Sequence, residues 1–167
     1  MSLEALLQTM AELNDVHNTL LDLAERKKHV IIHNEVEQLM QIVNKENKLL
    51  KRIGELDQQR LEATGAFLME KGYKPNPRVT VSDLTKIIFN MDEKKQLMDE
   101  QKQLLATIRK LRELNQFNQQ LTEHSLKYIN YSLDLLAGSS DDEVIYHNPH
   151  QQLSSSMKPN RLFDTKA

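Results

Sequence analysis

DEKKQLMDEQKQLLATIRKLRELNQFNQQLTEHSLKYINYSLDLLA, from Asp92 to Ala137, holds a helical pattern throughout and contains neither Gly nor Pro. A helix of that length is not stable alone in water and must lie along partner helices. Its seam is ordinary at first, with Leu97, Leu104, Ile108, Leu111 and Leu114. It then turns polar at Asn115, Gln116, Asn118, Gln119 and Gln120. Beyond that the seam reads Asn118, Leu121, Thr122, Ser125, Ile129, Ser132 and Leu136, while Leu126, Tyr128, Leu133 and Leu135 widen the apolar arc. The C-terminal third thus has apolar residues on more than one face, with small polar ones between. One face packs on neighbouring helices. The other either receives a partner helix, a common recognition mode, or wraps into the same bundle or a homodimer. The pattern points to a protein that binds proteins and away from a pocket enzyme.

Working outward, three more helices are expected. Apolar residues at Leu3, Leu6, Leu7, Met10, Leu13, Val16, Leu20 and Leu23 keep a spacing of three and four, which predicts an amphipathic helix from about Ser2 to Ile32. Near His33-Asn34 the pattern restarts, and Asn34 with Glu37 fits a capping box. This reads as a break, with one continuous bent helix as the competing arrangement. A second helix, from about Glu35 to Lys71, carries Val36, Leu39, Met40, Val43, Leu50, Ile53, Leu56, Ala63 and Phe67. Gly72 is a natural residue just past its end, and Tyr73-Lys74-Pro75-Asn76-Pro77 enforces an extended linker. A short helix from Ser82 to about Asn90 brings Leu84, Ile87, Ile88 and Phe89 to one end of the bundle, and Asn90 with Glu93 offers another capping box. The second and last helices would be roughly 55 and 70 Å long. The expected fold is all-α: an elongated antiparallel bundle or coiled-coil hairpin of three long helices with a short connecting helix.

The expected domains are a helical domain over residues 1–138 and a flexible C-terminal tail over 139–167. The tail carries Ser139-Ser140-Asp141-Asp142-Glu143, Asn148-Pro149 and Ser154-Ser155-Ser156, a composition that favours disorder. Its apolar islands, Val144-Ile145-Tyr146 and Leu162-Phe163, read either as short binding motifs or as an untied terminus.

Composition narrows the function classes. The 167 residues contain 28% charged and 39% hydrophobic residues, no Trp, four Phe and four Tyr, which suits slender helical packing better than a thick core. A net charge of −2 offers no footprint for nucleic acid. The absence of Cys excludes disulfides, thiolate metal sites and a Cys nucleophile. The opening Met1-Ser2-Leu3-Glu4 is not expected to be a signal peptide, and no apolar run approaches the ~20 residues of a membrane span. A cytoplasmic location and no membrane insertion are the expectation.

No catalytic constellation emerges. His29 and His33 are four apart and could share a helix face, but no HExxH or forced acidic ligand accompanies them, and two solvated His at a helix end is the simpler reading. His147 and His150 sit in the tail. None of the six His has Glu three residues before it, so a di-iron carboxylate site is excluded. Gly-rich phosphate loops and G-x-S-x-G are missing. The expectation is no enzyme, no cofactor and no metal.

Several stretches carry a family resemblance. They are Leu20-Leu21-Asp22-Leu23-Ala24-Glu25-Arg26-Lys27-Lys28, Asn34-Glu35-Val36-Glu37-Gln38-Leu39, Glu55-Leu56-Asp57-Gln58-Gln59-Arg60, and Leu114-Asn115-Gln116-Phe117-Asn118-Gln119-Gln120-Leu121 leading into Ser125-Leu126-Lys127-Tyr128. With them the chain resembles the FlgN-type flagellar export chaperones over roughly residues 3–138. The resemblance implies a cytoplasmic, non-enzymatic type III export chaperone. Such a protein binds the helical termini of hook-associated proteins through its C-terminal part, prevents premature assembly or degradation, and delivers them to the export gate. The partner-binding residues are then expected at Asn115, Asn118, Leu121, Ser125, Tyr128, Ile129, Ser132, Leu133 and Leu136. The expected partners are hook-associated proteins and export gate components, with a possible homodimer. The alternative is a self-assembling structural coiled-coil protein with no export role, which a strictly apolar heptad would favour and the Asn/Gln seam argues against.

Overall fold

The computed structural model describes residues 2–137. The tail expectations, with Gly138, His147, His150 and both apolar islands, lie outside the described residues. Among the described residues four helices occur: α1 (Ser2–Ile32), α2 (Val36–Glu70), α3 (Val81–Ile87) and α4 (Met91–Ala137). No strand is present among the described residues. The chain divides into two compact units, Met1–Ser125 and Leu126–Ala167.

The break after α1 is present, with a different job for Asn34. Its φ is +56°, a left-handed conformation that Asn tolerates better than most residues. The Asn34 amide donates to the Ile31 carbonyl at 3.2 Å and the Glu35 amide to the Val30 carbonyl at 3.0 Å. Asn34 therefore closes the C-terminus of α1 in a Schellman arrangement. It does not cap α2, whose N-cap is Glu35 with no side-chain capping bond. The expected Asn34–Glu37 capping box is corrected accordingly: a left-handed Asn34 completes the preceding helix. Gly72, at φ +81°, plays the same part at the end of α2. There the Gly72 amide reaches the Met69 carbonyl at 3.0 Å and the Tyr73 amide the Leu68 carbonyl at 2.8 Å.

The short helix starts on a capping box that the sequence reading passed over. The Thr80 hydroxyl accepts from the Asp83 amide, and the Asp83 carboxylate takes the Thr80 amide in return. The Thr80 hydroxyl, then Lys86, hold the Asp83 carboxyl down at about 2. The helix is shorter than expected and ends at Ile87. Ile88 turns extended and enters the core, while Phe89 is left in solvent. Asn90 opens α4, its Oδ1 taking the amides of Asp92 and Glu93.

Within the first unit, α1 supplies most of the interior. One core joins Leu3, Leu6, Leu7, Met10 and Leu13 of α1 to Leu56, Ala63, Phe67 and Leu68 of α2, with Leu84, Ile88 and Leu97 closing it. A second, smaller core joins Leu23 and Val30 to Ile42. Fully burying a Leu or Phe stabilises by about 1.5–3 kcal/mol, so these α1–α2 layers dominate the fold. The polar contacts give directions. Ser2 bonds to Glu70, Arg52 to Glu12 at 2.8 Å, and Lys27 to Glu46 at 2.9 Å, so α1 and α2 run antiparallel. Asn14 bonds to the Glu100 carbonyl at 3.1 Å, Thr107 to Asn18 at 3.2 Å, and Asn118 to the Ala24 carbonyl at 2.9 Å, so α4 follows α1 in the same direction. Only Leu97, Thr107 and Asn118 of α4 are buried. Its seam with α1 is therefore a ladder of polar contacts more than a hydrophobic layer.

Candidate partner-binding surface

The expected site residues all lie on α4, but the structure gives them different surroundings. In the first unit, Asn115 is exposed and Asn118 is not: only 3% of its surface reaches solvent. The Asn118 Nδ2 donates to the Ala24 carbonyl, and its Oδ1 is buried without a partner among the described residues. As placed, Asn118 ties α4 to α1 and is almost closed to solvent. The polar stretch was a true sequence signal, because burying an Asn on a helix seam costs stability unless its amide is bonded. Leu121 and Ser125 are half-buried. Beside them, Leu20, Lys27, Glu46, Leu50, Leu111, Asn115, Asn118, Gln119 and Thr122 line a cavity of about 250 Å³. The Lys27–Glu46 ion pair forms part of its wall.

The second unit, taken by itself, is described over Leu126–Ala137 and is helical throughout. Its large apolar side chains are all exposed: Leu126, Tyr128, Ile129, Tyr131, Leu133, Leu135 and Leu136. Tyr128 is 70% exposed and Leu136 86%. Helical spacing sorts them. Leu126, Ile129, Leu133 and Leu136 recur at three and four and form one flank; Tyr128, Tyr131 and Leu135 form another. Ser132 sits between the flanks, its hydroxyl turned back to the Tyr128 carbonyl at 2.9 Å. Lys127, Asn130 and Asp134 share the remaining side. The result is an amphipathic helix end whose exposed apolar arc covers more than half its circumference. Isolated exposed apolar residues are ordinary, whereas a contiguous patch marks an interaction site. Tyr131 was missing from the expected set; its position three after Tyr128 and four before Leu135 was the available signal.

Comparison with known proteins places the chain in a family. The model of the FlgN protein family matches residues 1–154. The chain belongs to the FlgN family. A relative from Bacillus subtilis (strain 168), named there as the uncharacterized protein YvyG, is 29% identical over 167 residues, covering all of both chains. No solved structure matches significantly. FlgN proteins are flagellar export chaperones, and the family implies binding of hook-associated proteins in general.

The chemistry of the remaining candidates is slight. The rings of His29 and His33 stack at 4.0 Å, and the His33 Nδ1 lies 2.8 Å from the His29 carbonyl oxygen. No group of three or more His, Cys, Asp or Glu gathers as a metal site among the described residues. No described helix is long and apolar enough to cross a membrane.

Proposed function

We propose that this FlgN-family protein is a cytoplasmic chaperone of type III flagellar export. It holds the helical termini of hook-associated proteins, blocks their premature assembly or degradation, and brings them to the export gate. The observation that carries the reading is the exposed arc of seven large apolar side chains between Leu126 and Leu136. An amphipathic terminus of a substrate can lay its apolar face on such an arc, as helix-in-groove recognition does. Leu121, Ser125, Tyr128, Ile129, Ser132, Leu133 and Leu136 are the contacts assigned, with Leu126, Tyr131 and Leu135 added to them. Asn115 lies at the rim of the cavity beside the seam.

The reading also takes the residues up to 138 as the chaperone domain, the rest as a tail, and α1, α2 and α4 as one antiparallel bundle. The cross-helix hydrogen bonds in the first unit support the last point. Binding couples to ordering of the substrate segment, whose entropy cost lowers the net affinity; release at the gate then needs no nucleotide chemistry from this chain.

The test is co-purification of hook-associated proteins with the full chain and with its Leu133→Asp variant. The variant is expected to keep its helicity and lose most of the bound protein, since a carboxylate facing an apolar partner is costly to desolvate. A folded variant that retains the hook-associated proteins at unchanged affinity would overturn the assignment.

A further inference from the structure

The part of α4 that belongs to the first unit carries a periodic row on its outward face, which the proposed function does not use. Met91, Met98 and Leu105 follow one another at seven residues, and Arg112 takes the next position. Four residues after each of the apolar three stands a base: Lys95, Lys102 and Arg109. Seven residues fall about 20° short of two helical turns, so the two rows run side by side along one face for roughly 30 Å. Leu97 and Thr107, which α4 buries, turn the opposite way. Met91, Met98 and Leu105 are 73%, 50% and 47% exposed, and Lys95, Lys102, Arg109 and Arg112 are exposed as well.

A solvated helix face ordinarily mixes its signs. On this one no carboxylate falls among the bases between Met91 and Arg112. Glu93 and Glu100 turn toward the seam, where the Glu100 carboxylate accepts from the Asn14 amide. Asp92 and Asp99 stand along one edge, and Glu113 follows the row. None of the four bases has an ion-pair partner among the described residues. The chain carries a net charge of −2, so the row reverses the sign of the molecule locally.

Period and sign together select an occupant. One apolar residue in seven is a narrow seam, the spacing at which a second helix packs, with flanking charges that choose the partner. A bilayer surface would instead call for a broad apolar face. Phosphate contacts would leave the Met and Leu row without a purpose. A second copy of this chain would bring the same bases against these, which is unfavourable in either direction. Carboxylates on the incoming helix satisfy the row.

We infer that the Met91–Arg112 face of α4 docks an acidic amphipathic helix of a partner protein. The apolar residues of that helix seat on Met91, Met98 and Leu105, and its Asp or Glu residues meet Lys95, Lys102, Arg109 and Arg112. This face shares no residue with the arc assigned to substrate.

The probe is a synthetic, fluorescently labelled helix of three heptads with Leu at every seventh position and Glu at the positions beside it. Titrated with the full chain and followed by anisotropy, it is expected to bind saturably and to weaken severalfold as salt rises. Lys95→Glu with Lys102→Glu and Arg109→Glu is expected to weaken it at least tenfold, and a probe with Lys in place of Glu to bind that variant in preference to the unmodified chain. Leu105→Gln, which leaves the charge unchanged, is expected to weaken the original probe too. The same three bases changed to Gln keep the test open if the charge reversal folds poorly by circular dichroism. Leu133→Asp is expected to leave probe affinity unchanged, and the folded charge-reversed chain to retain hook-associated proteins, so this inference and the proposed function fail separately. Four results each overturn the inference: no saturable binding of the probe, equal binding of the Glu probe by the folded charge-reversed chain, tighter binding to phosphatidylglycerol vesicles or duplex DNA than to the probe, or loss of hook-associated proteins from the folded charge-reversed chain. The last would assign the face to substrate.

Discussion

Replacing Asn118 by Leu should stabilise the protein. The two side chains branch at the same atom and have similar shape, so the substitution introduces no large void. On the debit side, the Nδ2 bond to the Ala24 carbonyl is lost, about 0.5–1.5 kcal/mol. That carbonyl is not orphaned, because it lies inside α1 and accepts an intrahelical amide as well. On the other side, the buried Oδ1 without a partner is removed, relieving about 1–3 kcal/mol. An apolar side chain is then buried in its place, about 1.5–3 kcal/mol for Leu. The balance is about 3 kcal/mol in favour of Leu, or a rise of roughly 6–12 °C in Tm for a chain of this size. Thermal unfolding by circular dichroism with a matched Asn118→Ala variant, expected to fall below wild type, is the assay. A Leu variant that melts at or below the wild-type temperature would refute the reasoning, because it would mean the Oδ1 is already satisfied or the seam cannot accept the larger apolar group. Affinity for hook-associated proteins should change little, since Asn118 faces α1.

Ile129→Asp should lower affinity for hook-associated proteins at least tenfold by titration calorimetry, while stability stays within about 0.5 kcal/mol because the residue is exposed. Gly54→Ala should raise stability by about 0.5–1 kcal/mol, since Gly54 lies inside α2 with open space around it. Gly72→Ala should lower it by about 1 kcal/mol, because its φ of +81° is costly for a residue with a Cβ; urea melts of both variants check the opposite signs. The start of α3 should loosen in acid. The Asp83 carboxyl sits at about 2 in the folded chain against an ordinary 3.8, so its contribution is fully present above about pH 4 and is lost as pH falls toward 2. Amide exchange at Asp83 and Leu84 over that range should report the change, and Thr80→Ala should weaken the pH dependence, leaving the part held by Lys86 and the Thr80 amide.

Much of the helix inventory was legible because helical periodicity, Gly72 and the two prolines after it leave few alternatives. The ends were less legible where one residue could serve two roles. Asn34 reads equally as the start of α2 or the end of α1, and the left-handed backbone decides only once the chain is folded. Thr80–Asp83 was readable as a capping box, but the hydrophobic run Ile87-Ile88-Phe89 drew the helix too far; tertiary burial of Ile88 ended it instead. In the candidate site, the apolar residues from Leu126 onward were visible by spacing. Asn118 was not assignable from spacing, because a seam Asn looks the same whether it faces a neighbouring helix or a partner. That choice depends on the rotation of α4 about its axis, which the contact with Ala24 fixes.

The sparse burial of α4 has an evolutionary consequence. A helix that gives the interior little beyond Leu97, Thr107 and Asn118 places few demands on its own sequence. On the proposed function, substitutions along it can follow a changing cargo without endangering the scaffold. Leu6, Leu56 and Phe67, sealed between α1 and α2, have no such latitude. Across relatives, drift on α4 should keep pace with drift in the termini of their own hook-associated proteins, and the α1–α2 layers should keep to the slower rate set by packing alone.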